Sequence, residues 1–157
     1  MKILRLSAIA IAALAAALCL PATATASDKS DVMAVVSNAV ASFNRGDEKT
    51  WTALCTSPAA IISNIAPFQY MGAATCADWW ASHAAYDKKN GVTGEVVTLG
   101  TPWHVDVMGD RAYAVYPATF AFNQKGKAVK SSGDVLTIAL QKTANGWLMT
   151  GWTWAQR

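Results

Sequence analysis

The chain has 157 residues, with 13 Lys and Arg against 10 Asp and Glu, for a net charge of +3. Lys2 and Arg5 fall within residues 1–26, which hold no acid, so the remainder carries 11 basic and 10 acidic residues. That near-neutral balance leaves no clustered basic footprint, which excludes a nucleic-acid partner.

The first 26 residues read as a cleaved export signal. A positive start precedes the uncharged run Ala8 to Leu20, and Ala24-Thr25-Ala26 supplies a small-x-small cleavage site, so Ser27 begins the mature chain. Thirteen apolar residues are short of the roughly 20 that a membrane span needs. Leu18 before Cys19 argues against a lipoprotein signal, which wants a small residue there. A periplasmic or secreted location is expected, with no stable membrane anchoring after cleavage. Residues 27–157 are expected to form a single domain, large enough to bury a core. Its two cysteines, Cys55 and Cys76, are expected to pair in an oxidising compartment; two buried thiols are the alternative. Two cysteines and two histidines never fall at ligand spacing, so no metal site is expected.

Val32, Val36, Ala39, Val40 and Phe43 repeat at three- and four-residue steps, which predicts a helix over 30–43. Gly46 ends it and Asp47 caps a short second helix carrying Trp51 and Leu54 inward. Ala59 to Ser63 and Phe68 to Met71 read as a short hairpin. A third helix follows over 73–89, with Trp79, Trp80, His83 and Tyr86 in its middle. From Thr93 the period changes to two. Strands are expected over 95–107, 111–123, 129–141 and 147–154, joined by tight turns into a meander. Leu148, Thr150, Trp152 and Trp154 are expected on one face of the last strand, and Trp103, Val105 and Val107 as buried residues of the first. The class is α+β: three N-terminal helices on the concave face of a curved, antiparallel four-stranded sheet, plus the hairpin. Such a cone leaves a cavity, the default ligand site.

Several stretches resemble the nuclear transport factor 2-like superfamily, also called the SnoaL-like or ketosteroid-isomerase-like fold. They are Phe43-Asn44-Arg45-Gly46-Asp47 with Trp51, Ala59-Ala60-Ile61-Ile62, Tyr70-Met71-Gly72, Gly109-Asp110-Arg111-Ala112-Tyr113-Ala114 and Asn145-Gly146-Trp147-Leu148-Met149. The resemblance spans nearly all of residues 30–154. It implies the fold but not the chemistry, since the superfamily holds isomerases, dehydratases, cyclases and non-catalytic adaptors. It also implies a homodimer through the sheet face.

Transferred from the family's steroid isomerases, the base position falls at Ser63 or Asn64 and the tyrosine position at Ala39, none of which supplies that chemistry. Asp134 fits the second carboxyl. On an apolar strand face, a desolvated Asp134 becomes a candidate general acid. His104 and Asp106, two apart on one strand, are a candidate acid–base pair. His83 can reach the pocket mouth. The aromatics Tyr70, Trp79, Trp80, Tyr116, Trp152 and Trp154 are candidates to line the cavity, with Tyr70, Trp79, Tyr116 and Trp154 foremost as ligand contacts. The expected ligand is small and apolar or aromatic, held without a cofactor. Turnover is left open, and a dimeric interaction module is the competing reading.

Overall fold

The computed structural model describes residues 21–156. Residues 1–20 of the expected signal segment lie outside that range. The first helix, α1, runs Pro21–Asn44, nine residues earlier than the Ser30 start expected from the sequence. The alanine-rich stretch after Pro21 holds no breaker. Asp28 is fastened to the sheet, accepting from Lys142 Nζ at 2.6 Å and Trp147 Nε1 at 3.3 Å. Val32, Val36 and Ala39 are buried, as the spacing predicts.

The junction after α1 is a Schellman motif. Asp47 N donates to Ser42 O and Gly46 N to Phe43 O, both at 2.9 Å. Gly46 takes the left-handed conformation this needs, at φ +67°. Asp47 then caps α2, Glu48–Ala53, accepting from Thr50 N at 3.0 Å.

Strands β1 (Cys55–Ile62) and β2 (Gln69–Gly72) form the short hairpin, and α3 spans Thr75–Asn90. Five further strands follow: β3 Val92–Leu99, β4 His104–Met108, β5 Arg111–Gln124, β6 Lys127–Thr143 and β7 Gly146–Ala155. All seven belong to one sheet, ordered β2-β1-β7-β6-β5-β3, with β4 also on β5.

This corrects the four-stranded antiparallel expectation in two ways. First, the hairpin joins the main sheet, because β1 pairs parallel with β7, Ile61 opposite Trp152. Second, the strand expected over 95–107 is broken. Gly100 N still donates to Pro117 O and Trp103 N to Val115 O, but Pro102 between them has no N–H to donate. β3 therefore pairs with the far half of β5 and β4 with its near half. Trp103, at that corner, is 58% exposed rather than buried.

A bulge redirects β7. Ala139 faces Gly151 while Leu140 faces Met149, which leaves Thr150 over. The parity change puts Trp147 and Met149 before the bulge, and Trp152 and Trp154 after it, on the concave face. The expected single face of Leu148, Thr150, Trp152 and Trp154 is thus split. A side chain at Gly151 would meet Ala60 O at 2.5 Å, so glycine alone fits there. At the opposite edge, the Asn44 amide hydrogen-bonds both backbone groups of Val97 at 2.8 Å, capping the free edge of β3 and seating the end of α1 over it.

Candidate active site

Helices and concave sheet face enclose a cavity of about 240 Å³. A dry cavity of about 150 Å³ holds benzene, so this one has room for one or two rings. Its walls are mainly aromatic: Phe43 from α1, Trp51 from α2, Trp79 from α3, Phe120 and Phe122 from β5, Trp152 and Trp154 from β7. Aliphatic side chains, Leu136, Ile138 and Met149 among them, supply the rest of the apolar lining.

Trp79 is the hub. Its Nε1 donates to Ser63 Oγ at 3.1 Å, which fixes the ring. Trp51 stacks on it at 4.9 Å, Trp152 meets it edge-on at 4.8 Å, and His83 lies 5.0 Å away. Phe43 closes on the imidazole edge at 5.3 Å.

One part of this wall is ionisable. His83 and Asp87 are four residues apart on α3 and so share a face. His83 Nδ1 lies 3.2 Å from Asp87 Oδ2, and Nε2 lies 3.3 Å from Glu95 Oε1 on β3. All three side chains are four-fifths buried or more, and all line the cavity. Burial raises the Asp87 pKa to about 6, the His83 ring opposes that shift, and the neighbouring Glu95 carboxyl reinforces it. Asp87 Oδ1 is buried and has no partner among the described residues. The arrangement is a largely buried imidazole held between two neighbouring carboxyl groups.

The three donor sets lie within 4.8 Å of one another, so the group could hold a divalent cation. Folding assembled that set from positions whose spacing did not suggest it. Each imidazole nitrogen also lies beside a different carboxylate, an arrangement that suits proton transfer.

The residues singled out from the sequence are placed as follows. Trp79 and Trp154 line the cavity. Tyr70 is buried outside it, its hydroxyl donating to Ala66 O at 2.7 Å and so holding the β1–β2 turn. Tyr116 is buried beneath the sheet beside Leu136, also outside the lining. Its hydroxyl has no partner among the described residues, and burial raises its pKa. Asp134 is 1% exposed and takes a hydrogen bond from Ser131 Oγ, but it does not border the cavity. His104 and Asp106 are exposed on β4 and remote from the lining, because β4 turns that face outward. Ala39, Ser63 and Asn64, where the steroid isomerases keep tyrosine and base, do line the cavity. The position is retained and the carboxyl is not. Asp87 and Glu95 were missed. The four-residue step from His83 to Asp87 was the available signal, whereas Glu95 comes from another element.

Cys55 and Cys76 form a disulfide joining the start of β1 to the first turn of α3.

No protein-family model matches the chain, and no curated protein matches it in sequence. Solved structures do match. A candidate dehydratase of the NTF2-like family from Streptomyces avermitilis superposes with a TM-score of 0.72 at 16% identity, over 85% of this chain and 98% of that one. The hexachlorocyclohexane dehydrochlorinase LinA-type3 from Novosphingobium barchaimii gives 0.71 at 10% identity, over 84% and 88%. An NTF2-like protein with a cystatin-like fold from Novosphingobium aromaticivorans gives 0.68 at 18% identity, over 85% and 84%. With the helix layer, the bent sheet and the enclosed cavity, these likenesses establish that the chain has the nuclear transport factor 2-like fold.

Proposed function

We propose that this is an exported enzyme that binds a small, largely apolar compound of one or two rings and removes or relocates a proton on it. The carrying observation is the cluster of ionisable side chains His83, Asp87 and Glu95, set among aromatic and aliphatic residues of the cavity lining, with Asp87 Oδ1 unpartnered among the described residues. Asp87 is the base. His83 lies against Oδ2 of that carboxyl and, backed by Glu95, balances the charge as the proton moves. A base with a pKa near the working pH combines correct protonation with driving force, and such groups contribute typically 10²–10⁴-fold.

Two structural neighbours bear the names of a dehydrochlorinase and a candidate dehydratase, and both reactions are eliminations that remove a proton. Export is supported by the charged start, apolar run and small residues before Ser27, and by the disulfide.

The test is deuterium uptake from D₂O into 1-indanone and cyclohexanone, followed by mass spectrometry. The protein should exceed buffer, and both Asp87→Asn and His83→Gln should remove about 10²–10⁴-fold of that rate. Exchange no faster than buffer, or full activity in Asp87→Asn, sinks this reading.

A second reading is favoured by the outer sheet face, where Trp103 is 58%, Tyr113 47% and Met108 82% exposed. That face suits a homodimer, and sedimentation of the wild type against Trp103→Ser tests it.

A further inference from the structure

Glu95 reaches the cavity through a local device. Thr93 faces Asn123 and Val96 faces Ala121, so Gly94 and Glu95 together oppose Phe122. Gly94 takes the left-handed conformation, at φ +64°. This bulge changes the parity of β3. Val92 is buried before it, and Glu95, Val97 and Leu99 take the covered face after it. Without the surplus residue, Gly94 and Val96 would face inward and Glu95 outward. The bulge thus brings a second carboxyl beside Asp87.

That pair is short of positive charge. Among the described residues, the ion pairs of Asp87 and Glu95 are both made with His83, and no lysine or arginine joins them. With both carboxyls ionised, even an imidazolium leaves the cluster one positive charge short. Asp87 also lies in the last turn of α3, where the helix end is partly negative and favours a cation.

The spacing suits coordination. His83 Nε2 and Glu95 Oε1 are 3.3 Å apart. Tetrahedral bonds of about 2.0–2.1 Å set neighbouring donors about 3.3 Å apart, so these two already stand at ligand spacing. A donor from each of the three residues lies within 4.8 Å of the others, and carboxyl rotation at Asp87 closes the remainder. An imidazole with two carboxylates suits zinc or a similar first-row ion, whereas calcium and magnesium take oxygen ligands. Three protein ligands leave the fourth position to water.

We infer that His83, Asp87 and Glu95 form a binding site for a divalent cation of the zinc class, joining the end of α3 to β3. The ion takes the carboxylate lone pair that Asp87 needs to act as a base. Ion binding and the proposed proton transfer therefore exclude each other, and the ion is an off-switch. Only the off-switch rests on the proton-transfer reading; the site does not.

The probe is zinc chloride, titrated by calorimetry into untagged protein stripped with EDTA and dialysed free of it. One ion should bind per chain with a Kd below about 10 μM. His83→Gln and Glu95→Gln should each weaken binding by at least about ten-fold, since loss of an outer-shell partner alone costs about 10–100-fold. His104→Gln, at the exposed histidine of β4, should stay within about two-fold. A wild-type readout accompanies these variants. The chain has two histidines. In protein labelled with ¹⁵N-histidine, zinc should move the imidazole resonances that persist in His104→Gln and leave the others in place.

Binding weaker than about 10 μM, a loss under about ten-fold in either inner variant, or unmoved His83 resonances overturns the inference. Deuterium exchange into 1-indanone separates it from the proton-transfer reading. Exchange that stops at zinc saturation supports both; exchange that persists there overturns the off-switch. Zinc binding without exchange in the stripped protein refutes only the chemistry, and exchange without zinc binding refutes only the cation site.

Discussion

His83 and Asp87 lie one helical turn apart on α3; His104 and Asp106 lie two residues apart on β4. In sequence the two pairs look alike, and the strand pair is the closer. In the fold they occupy opposite surroundings. The first is enclosed against Phe43 and Trp79, joined by Glu95 and bordering the cavity. The second faces outward, exposed, with no ion pair between its members. Burial raises Asp87 to about 6. Side-chain identity supplies a proton carrier, and enclosure next to a ligand space makes it a usable one.

The largest expected effect follows from that contrast. His83→Gln and Asp87→Asn should each lower deuterium exchange by about 10²–10⁴-fold, and His104→Gln and Asp106→Asn should change it by less than about two-fold. A large loss from the outer pair, with the inner substitutions silent, would reverse the assignment of roles.

The inner pair is also held by a covalent tie that the outer pair lacks. Cys55–Cys76 joins β1 to the first turn of α3, the helix carrying His83 and Asp87, with a sequence separation of 21. Loop closure of that length restricts the unfolded chain by about 3 kcal/mol. Replacing both cysteines by serine should therefore lower the urea-unfolding free energy by about 2–4 kcal/mol. A loss below about 1 kcal/mol would show that packing of α3 on Trp51 and Trp152 is enough to hold the helix.

The helices and hairpins were legible because period, glycine stops and caps are local. Val32, Val36 and Ala39 announce a buried stripe within eight residues, and Gly46-Asp47 announces a junction. Parity along a strand is also local, but it survives only until a bulge. One surplus residue, Thr150, moved Trp152 and Trp154 to the face opposite Leu148. Pro102 did similar damage to the strand beside it. The site was half legible. His83 and Asp87 share a helix face by spacing alone, while Glu95 reaches the same imidazole across the Asn90–Gly91 turn, which no periodicity reports. His104 and Asp106 misled because alternation gives a shared face without saying which side is covered. Reading Val105 and Val107 as the covered set already turned His104 and Asp106 outward, as the structure has them; only Trp103, at the corner after Pro102, departs from that set.

The smallest expected effect tests the same contrast through pH. Asp87 has a folded-state pKa of about 6 against an ordinary 3.8. Between those values the folded chain binds more protons than the unfolded one, so stability falls as pH rises. The contribution is most favourable below about pH 4, and its cost is complete above about pH 6. A shift of that size corresponds to at most about 3 kcal/mol. Contact of the carboxyl with solvent reduces this to about 1 kcal/mol. Unfolding free energies at pH 4 and pH 7 should thus show wild type losing about 1 kcal/mol relative to Asp87→Asn. Asp106→Asn should track wild type within about 0.5 kcal/mol, as a surface substitution does. Parallel curves for wild type and Asp87→Asn would mean that the inner carboxyl is as well solvated as the outer one. Enclosure would then no longer separate the two pairs, and the choice of Asp87 as base would lose its physical ground.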